Sequence, residues 1–320
     1  MKTRMLRDIE VSEVGMGCMA FSHGYGAIPD ERYSIEAIRG AHSAGCTFFD
    51  TAEVYGPNLA RSQRGHNERI VGRALADVRD DVVIATKLFL DMGLGNTYKR
   101  IRKHLEASME RLQTDYIDLY YLHRTASVPV EDVAEAMGRL IDEGLIGGWG
   151  LSQVDVDIID RAQVVTPLSA VQNIYSMVER DVEDEVIPYC DAHRIGLVAF
   201  SPVASGLLSG KVKSTAQFER VDDVRTWVPQ LSERNLAANR PLVEMLEDYA
   251  STKGCTPAQL SMAWMLAKWS NVVPIPGSKN KGRILENLRS AEVELSESEL
   301  AQLEGALNGI TVYGHRGFTR

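Results

Sequence analysis

The sequence predicts an α/β protein: a closed (β/α)8 barrel of the TIM type with an N-terminal β-hairpin. Short apolar runs rich in β-branched residues alternate with longer segments of helical period throughout the 320 residues. This alternation is typical of repeated βα units rather than of a β-sandwich. No shift in composition marks a boundary, so we expect a single barrel domain over residues 1–320.

The predicted barrel strands are eight short apolar runs that follow the hairpin. Each is bounded by turn residues or by a helical pattern. In chain order the strands are predicted at Glu13–Met16, Thr47–Asp50, Val82–Thr86, Asp118–Leu122, Gly147–Leu151, Ala170–Asn173, Leu197–Phe200 and Asn271–Ile275.

Four helices between these strands have clear apolar faces. They are predicted at Ser34–Ala44, Ile101–Leu112, Val133–Glu143, which Gly144 ends, and Thr256–Trp269, which opens on a cap followed by a proline. The longer polar section from Lys211 to Asn239 interrupts the rhythm after the seventh strand, and we expect it to form a lid or a pocket wall.

Composition narrows the functional classes. The chain is 44% hydrophobic and 25% charged, and its net charge of -9 disfavours nonspecific nucleic-acid binding. Its four cysteines are widely spaced without a CxxC pair, so we expect reduced thiols. Acidic residues stand where a signal peptide needs an apolar run, and no stretch approaches the length of a membrane span. We therefore expect a cytoplasmic protein without a membrane partner.

Polar residues follow nearly all of the predicted strands. Because the carboxyl ends of barrel strands converge on one face, we expect these residues to share one mouth. They are Gly17, Asp50, Lys87, His123, Ser152, Gln172, Ser201 and Ser278.

The ionisable residues of this mouth suit proton delivery to an oxygen atom. Asp50 would hold Lys87 charged, and Lys87 would lower the pKa of Tyr55 and make the phenol a general acid. His123 would donate a hydrogen bond to a carbonyl oxygen beside Tyr55. No side chain supplies a hydride, so a nicotinamide cofactor is the expected donor.

Ordered motifs along nearly the whole chain resemble the aldo-keto reductases. They are FFDTAEVYG at 48–56, ATK at 85–87, LHR at 122–124, WGLS at 149–152, VQNIYS at 171–176, FSPVASGLLSGK at 200–211 and IPGSKNKGRILEN at 275–287. The resemblance implies a barrel that reduces aldehydes or ketones with NADPH and without a metal. It also implies that Tyr55 donates the proton, that Lys87 and Asp50 lower its pKa, and that His123 orients the carbonyl.

The resemblance also implies the cofactor contacts. Gly17 would allow close approach of the cofactor, Ser152 and Gln172 would hold the nicotinamide carboxamide, and Tyr175 would stack on its ring. The pyrophosphate segment would run from Ser201 to Lys211, including Pro202, Val203, Gly206 and Leu208. After Gly277, residues Ser278, Lys279 and Arg283 would surround the adenosine 2'-phosphate, while Glu286 and Asn287 would face the adenine. An arginine fork beside an ammonium suits this phosphate, which predicts NADPH rather than NADH.

Two stretches depart from the family pattern. Gln153 stands where asparagine is common, and the loop Pro57–His66 is longer than usual before Asn67 and Glu68. GMGCMA at 15–20 fits a Rossmann fingerprint in letters, but Gly24, Gly26 and Pro29 oppose the helix that this fingerprint requires.

The substrate and the direction of reaction stay open. Candidate pocket walls are Phe21, Tyr25, Phe89 and Trp227, which would suit medium-sized carbonyl compounds. The tail Tyr313–Arg320, with His315, Arg316 and Arg320, either folds over the cofactor or stays mobile. Two alternatives remain: a cofactor-binding regulatory subunit with slow turnover, and an alcohol or sugar dehydrogenase working in the oxidising direction. The oligomeric state is not readable.

Overall fold

Eight parallel strands form one curved sheet in chain order, and an antiparallel hairpin precedes it. The structure is a computed structural model that describes residues 1–58, 60–90, 96–125, 128–218 and 223–317. The hairpin pairs β1 (Thr3–Leu6) with β2 (Ile9–Ser12). The sheet strands are β3 (Met16–Gly17), β4 (Phe48–Asp50), β5 (Val83–Leu88), β6 (Ile117–Leu122), β7 (Ile146–Ser152), β8 (Ala170–Ile174), β9 (Gly196–Phe200) and β10 (Val272–Pro274).

The first and last strands of the sheet meet and close the barrel. The Gly15 N–H donates to the carbonyl of Pro274 at 3.0 Å, and Gly17 forms a parallel bridge with Gly277. A Cβ on Gly17 would lie 3.0 Å from the carbonyl oxygen of Ile275, so this seam favours glycine. The predicted barrel and its N-terminal hairpin are confirmed.

Helices cover the outside of the sheet. They are α1 (Glu31–Ser43), α2 (His66–Leu75), α3 (Thr97–Leu112), α4 (Val130–Asp142), α5 (Val156–Val165), α6 (Val186–Ala192), α7 (Glu233–Ala238), α8 (Arg240–Lys253), α9 (Pro257–Lys268), α10 (Lys281–Leu288) and α11 (Glu297–Asn308). In the described ranges, no helix is long and apolar enough to cross a membrane.

Helix caps explain where the predicted boundaries differ. The α1 and α3 helices begin several residues before the predicted starts, because Asp30 and Asn96 cap polar first turns that lack an apolar signal. Thr256 caps α9 as predicted, and its exchange of hydrogen bonds with Gln259 forms a capping box.

The section from Lys211 to Asn239 is more ordered than the prediction of a polar loop. Its described part contains three short 3-10 turns followed by α7, whereas residues 219–222 lie outside the described ranges. After GMGCMA only a single 3-10 turn follows, at Met19–Phe21. The Rossmann fingerprint was therefore rightly rejected.

Strand alternation separates the inner row of side chains from the outer row. Phe48, Tyr121 and Val198 belong to a compact inner cluster, which Leu6 and Val11 of the hairpin join. Their sequence neighbours pack in the larger cluster between the sheet and the helices. Since successive side chains of a strand point to opposite faces, each strand contributes to both layers.

The inner row also contains a glycine that makes room for a tyrosine. A Cβ on Gly150 would lie 2.5 Å from the carbonyl oxygen of Ala170 and 2.5 Å from the Tyr121 ring. Both neighbours belong to the inner cluster. The narrow barrel interior therefore requires a residue without a side chain at this position.

We expect Gly150→Ala to lower the free energy of unfolding by about 1–3 kcal/mol, because the added methyl group overpacks the barrel interior. The matched control is Gly305→Ala on α11, where a Cβ meets no atom within 4 Å. That control should raise stability by about 0.4–1 kcal/mol through loss of unfolded-state entropy. Chemical denaturation measures both changes, and a neutral Gly150→Ala would contradict the assigned packing.

Candidate active site

The strand ends continue the inward-facing rows of the barrel. Each residue of this ring lies two positions after an inner residue of the same strand or of its bonded extension, so alternation directs it into the mouth. The residues are Asp50, Lys87, His123, Ser152, Gln172, Phe200 and Gly277, which follow Phe48, Ala85, Tyr121, Gly150, Ala170, Val198 and Ile275. Sheet geometry thus brings together three of the four predicted catalytic residues.

A buried ion pair lies at the centre of this ring. The Lys87 Nζ donates to Asp50 Oδ1 at 2.5 Å and to the carbonyl of Thr51 at 2.8 Å. The second oxygen of Asp50 accepts from Gln172 Nε2 at 2.8 Å. Lys87 is fully buried and Asp50 is 3% exposed, so this pair has almost no solvent screening.

The loop after β4 places Tyr55 beside this pair. It continues to bond to β5, because the N–H groups of Thr51 and Glu53 donate to the carbonyls of Ala85 and Lys87. The Lys87 Nζ lies 5.2 Å from the centre of the Tyr55 ring. The FFDTAEVYG stretch therefore ends as a strand with a bonded extension that fixes the phenol.

Only part of the predicted lowering of the Tyr55 pKa is found, because Lys87 acts in the predicted direction whereas the Asp50 charge raises this pKa. Burial raises the pKa of the Tyr55 phenol, and the nearby Lys87 charge opposes this effect without overcoming it. Burial likewise lowers the pKa of Lys87, but Asp50 and Tyr55 together reverse that effect and raise it. Tyr55 is consequently a protonated phenol beside a firmly charged ammonium.

His123 is neutral in this environment. Burial lowers the pKa of its imidazole well below the usual range, and the charges of Lys87 and Arg124 act in the same direction. Its ring packs edge-on against Tyr55, with the two ring centres 5.8 Å apart. Among the described residues its buried Nδ1 has no hydrogen-bond partner. A neutral imidazole can donate one hydrogen bond to a carbonyl oxygen.

A cavity of about 340 Å³ opens beside His123, against whose ring Tyr55 packs. Its lining residues are Val54, Arg64, Phe89, His123 and Arg124. The cavity therefore adjoins the groups that could activate a carbonyl.

Two buried acidic residues link neighbouring elements of the barrel to one another. Glu53 accepts from the Phe89 N–H at 2.7 Å and from His104 Nδ1 at 2.8 Å, so it ties the loops after β4 and β5 together. Glu68 accepts from Thr86 at 2.7 Å and from Arg111 at 2.5 Å. These contacts could not be predicted from the sequence, because both acids lie in polar stretches.

Asn67 pins the start of α2 to the barrel mouth. Its side chain accepts from Thr51 Oγ1 and donates to the carbonyl of Cys18 and to Ser22 Oγ. The loop before it, Pro57–His66, contains one 3-10 turn at Arg61–Gln63, and position 59 lies outside the described residues.

The segment from Ser201 to Lys211 has a contorted backbone. Ser201, Ala204 and Ser205 have φ values of 56°, 47° and 54°, and Gly206 has 102°. Three non-glycine residues in the left-handed region within one segment indicate strain of the kind that accumulates at ligand sites. Within the described chain, the buried Ser205 hydroxyl lacks a hydrogen-bond partner.

Other residues of this segment face the protein rather than the mouth. Leu208 is fully buried in the outer cluster, and the carbonyl of Pro202 accepts from Ser261 at 2.9 Å. Val203 packs against the same cluster. Lys211 pairs with Glu286 on α10 at 3.2 Å. Any ligand contact from Pro202 or Leu208 would have to use backbone atoms.

The segment after β10 leads into α10, where one arginine is unengaged. Ser278 Oγ accepts from the Asn280 N–H at 3.1 Å, and Lys279 donates to the carbonyls of Tyr25 and Ala27 at 2.7 and 2.5 Å. Among the described residues, the exposed Arg283 guanidinium forms no hydrogen bond or ion pair. Asn287, further along the helix, is mostly buried.

The predicted stacking role of Tyr175 is wrong for this fold. Like Val171, Tyr175 points away from the barrel interior, and it is fully buried in the outer layer. Its hydroxyl donates to Glu183 at 2.7 Å and accepts from Trp269. The aromatic residue whose side chain points into the barrel is Phe200, which is only partly buried. The alternation of side chains along the strand is the sequence signal that would have identified it.

Of the four predicted walls of the substrate pocket, only Phe89 lines the cavity. Phe89 lines the cavity and is 36% exposed. Phe21 is fully buried in the outer cluster, so its assignment as a wall is wrong, and Trp227 is 80% exposed to solvent and does not line this cavity. Tyr25 lies 5.7 Å from the Arg225 guanidinium, away from the cavity.

The Gln153 side chain is hydrogen-bonded to the backbone. Its Oε1 accepts from the Ile174 N–H at 3.1 Å, and its φ is 58°. A contact between this side chain and a bound carboxamide would therefore require the Ile174 hydrogen bond to break.

The C-terminal tail crosses the strained segment. Glu179, which is 3% exposed, accepts from the N–H of Arg316, from His315 Nδ1 and from the N–H of Gly317. Arg316 Nη1 then donates to Ser201 Oγ at 3.0 Å. The tail is thus folded over this segment up to Gly317, whereas Arg320 lies outside the described residues.

Comparisons with known proteins agree with this arrangement. The model of the Aldo/keto reductase family matches residues 13–308. A curated relative, "Probable aldo-keto reductase 1" from Glycine max, is 36% identical over 302 residues, which cover 92% of this chain and 85% of the relative.

Solved structures extend the likeness to three dimensions. A glycerol dehydrogenase from Gluconobacter oxydans superimposes with a TM-score of 0.84 at 26% identity, covering 97% of this chain and 95% of its own. An aldo-keto reductase from Klebsiella pneumoniae in complex with NADPH gives 0.73 at 27% identity, covering 95% of each chain. With its closed barrel and its ring of polar strand ends, the chain belongs to the aldo/keto reductase family.

Proposed function

We propose that this protein reduces aldehydes or ketones to alcohols with NADPH, and that Tyr55 is the general acid. The observation that carries the proposal is the inward-facing cluster of Asp50, Lys87, Tyr55 and His123 beside a cavity of about 340 Å³. Family membership supports the same reaction class.

The cluster supplies both a proton and charge stabilisation. Tyr55 donates its proton to the carbonyl oxygen as that oxygen gains negative charge, and the phenolate left behind faces the Lys87 ammonium. Asp50 keeps the ammonium charged and in place. His123, being neutral, donates a hydrogen bond to the same oxygen and orients it.

The nicotinamide cofactor, when bound, supplies the hydride for the carbonyl carbon. Ser152, Gln172 and Phe200 continue the inward rows where the nicotinamide would lie. The strained backbone of the Ser201–Lys211 segment supports a ligand site there, as does the Ser205 hydroxyl, which has no hydrogen-bond partner among the described residues. Lys211 and Glu286 tie this segment to α10.

The preference for NADPH rests on α10. The Arg283 guanidinium, unengaged within the described chain, offers a planar fork for a phosphate near the helix N-terminus. Ser278 adds a hydroxyl at the same end, and Lys279 adds positive charge, although its ammonium already donates to two carbonyls. The NADPH complex of the Klebsiella pneumoniae relative supports this choice.

One alternative retains support from a comparison. The same groups catalyse alcohol oxidation in reverse, and the Gluconobacter oxydans relative is a glycerol dehydrogenase. Comparing kcat/KM for an aldehyde with NADPH and for its alcohol with NADP+ would assign the preferred direction. A purely regulatory role is disfavoured, because the proposed proton donor is present and packs against His123, which lines an open cavity.

We further propose a cytoplasmic, single-domain protein over residues 1–320. Four free cysteines support a reducing compartment. The hairpin contributes Leu6 and Val11 to the barrel interior, and the tail is bonded to Glu179, so both ends pack on the barrel.

Tyr55→Phe should lower kcat/KM for aldehyde reduction by about a hundredfold or more, because it removes the proposed proton donor. NADPH absorbance measures the rate, and fluorescence titration should show that NADPH still binds. Tyr249→Phe, whose hydroxyl lies on the outer helices, is the matched control. A Tyr55→Phe enzyme as active as the parent would overturn the assignment.

Arg283→Ala should raise KM for NADPH about tenfold, since a charged hydrogen-bond partner of the 2'-phosphate is lost. The KM for NADH, which lacks this phosphate, should change far less. Arg289→Ala, also exposed and just beyond α10, controls for the loss of a positive charge. Equal KM values of the parent for both cofactors would remove the assignment.

A further inference from the structure

The cavity beside His123 has basic side chains in its lining. Two of its lining residues are arginines, Arg64 and Arg124, and no described acidic residue lines it. The charge of Lys87, further in, is balanced by Asp50 at 2.5 Å. Because Arg64 has an interaction of its own, Arg124 is the lining arginine that matters here.

Arg124 stands out because its guanidinium is largely unused. Its Nη1 donates to the carbonyl of the adjacent His123 at 2.8 Å, and within the described ranges no carboxylate pairs with it. A guanidinium has five N–H donors, so most of this fork remains available. Partial burial lowers the pKa of Arg124, with Tyr55 opposing that shift and Arg316 adding to it. An anion would relieve both the desolvation and the repulsion.

Arg316, the other arginine near Arg124, is engaged elsewhere. Its backbone N–H is anchored to Glu179 and its Nη1 donates to Ser201, on the segment that we assign to the cofactor. Its guanidinium lies 6.0 Å from the centre of the Phe200 ring. The two arginines therefore serve different sides of the mouth: Arg316 the strained segment and Arg124 the open cavity.

We propose that Arg124 binds an anionic group of the substrate, so that the preferred substrates are carbonyl compounds that also carry a carboxylate or a phosphate. This inference rests on the proposed reductase function and specifies its substrate class. The anionic group is not chemically changed. It anchors the molecule while the carbonyl lies at Tyr55 and His123, and a fork that binds two oxygens also restricts rotation.

Matched substrate pairs test the proposal. One pair is 4-carboxybenzaldehyde and its neutral methyl ester, and the other is glyceraldehyde 3-phosphate and glyceraldehyde. The parent should prefer the charged member of at least one pair by about tenfold in kcat/KM, mainly through KM. The pair that shows the preference identifies the anion as carboxylate or phosphate.

Arg124→Gln should reduce this preference to about one, whereas Arg124→Lys should keep part of it, because the charge remains without the planar fork. Added salt should weaken the preference of the parent. Arg32→Gln on α1, whose side chain is 90% exposed, is the matched control and should keep the full preference. No preference in either pair, or a preference that survives in Arg124→Gln, would overturn the inference.

A binding measurement separates this inference from the proposed reaction. Calorimetric titration of the NADP+-bound protein with benzoate and benzamide requires no turnover. Benzoate should bind about tenfold more weakly to Arg124→Gln than to the parent. If that loss is seen while no aldehyde is reduced, the anion site stands and the reductase function fails. If neutral aldehydes are reduced but benzoate binds both proteins equally, the function stands and the anion site fails.

Discussion

The buried pair of Lys87 and Asp50 is the interaction on which the rest of the site depends. Removing an ammonium from water costs several kcal/mol unless a counter-charge and further hydrogen bonds replace the solvent. Here Asp50 from β4 supplies the counter-charge to Lys87 from β5, and Gln172 from β8 donates a further hydrogen bond to Asp50. The network therefore joins three strands. The side chains that bond across the mouth can meet only because the sheet is closed, so the site and the barrel depend on each other.

The pair also explains how a buried phenol can serve as an acid. Burial alone raises the pKa of Tyr55, and the Lys87 charge acts against that rise. The phenol therefore remains protonated, while the phenolate formed after proton transfer lies next to a cation. In this account the ion pair matters most after the proton has moved, since it then stabilises the charge that burial disfavours.

Alternation along the strands determined how much of the site the sequence could predict. Asp50, Lys87, His123, Ser152 and Gln172 were recognisable because a polar residue at a strand end is conspicuous, and all five continue inward rows. Tyr175 was misassigned because the motif was compared without asking which side chains of the strand point into the barrel. The inward-pointing aromatic residue is Phe200. Burial raises the pKa of Tyr55 more than the predicted effect of Lys87 lowers it, and a sequence does not reveal burial.

Long-range partnerships were beyond sequence reasoning. Glu179 holds a tail that lies more than a hundred residues away in the chain. Arg124 stands out because no carboxylate of the described residues pairs with it. Such features depend on which loops the barrel brings together, and no local pattern encodes that. The strained backbone at Ser201, Ala204 and Ser205 was equally invisible, because serine and alanine have no particular preference for positive φ.

Direct titration of the Tyr55 phenol tests the central claim most directly. In protein labelled with ¹³C at the tyrosine Cζ, the resonance absent from Tyr55→Phe belongs to Tyr55, and its shift between neutral and strongly alkaline pH gives the pKa. With folding of Lys87→Met verified by circular dichroism, the account predicts a higher midpoint in that variant than in the parent, because the opposing charge is gone. An unchanged or lower midpoint would contradict the coupling between Lys87 and the phenol.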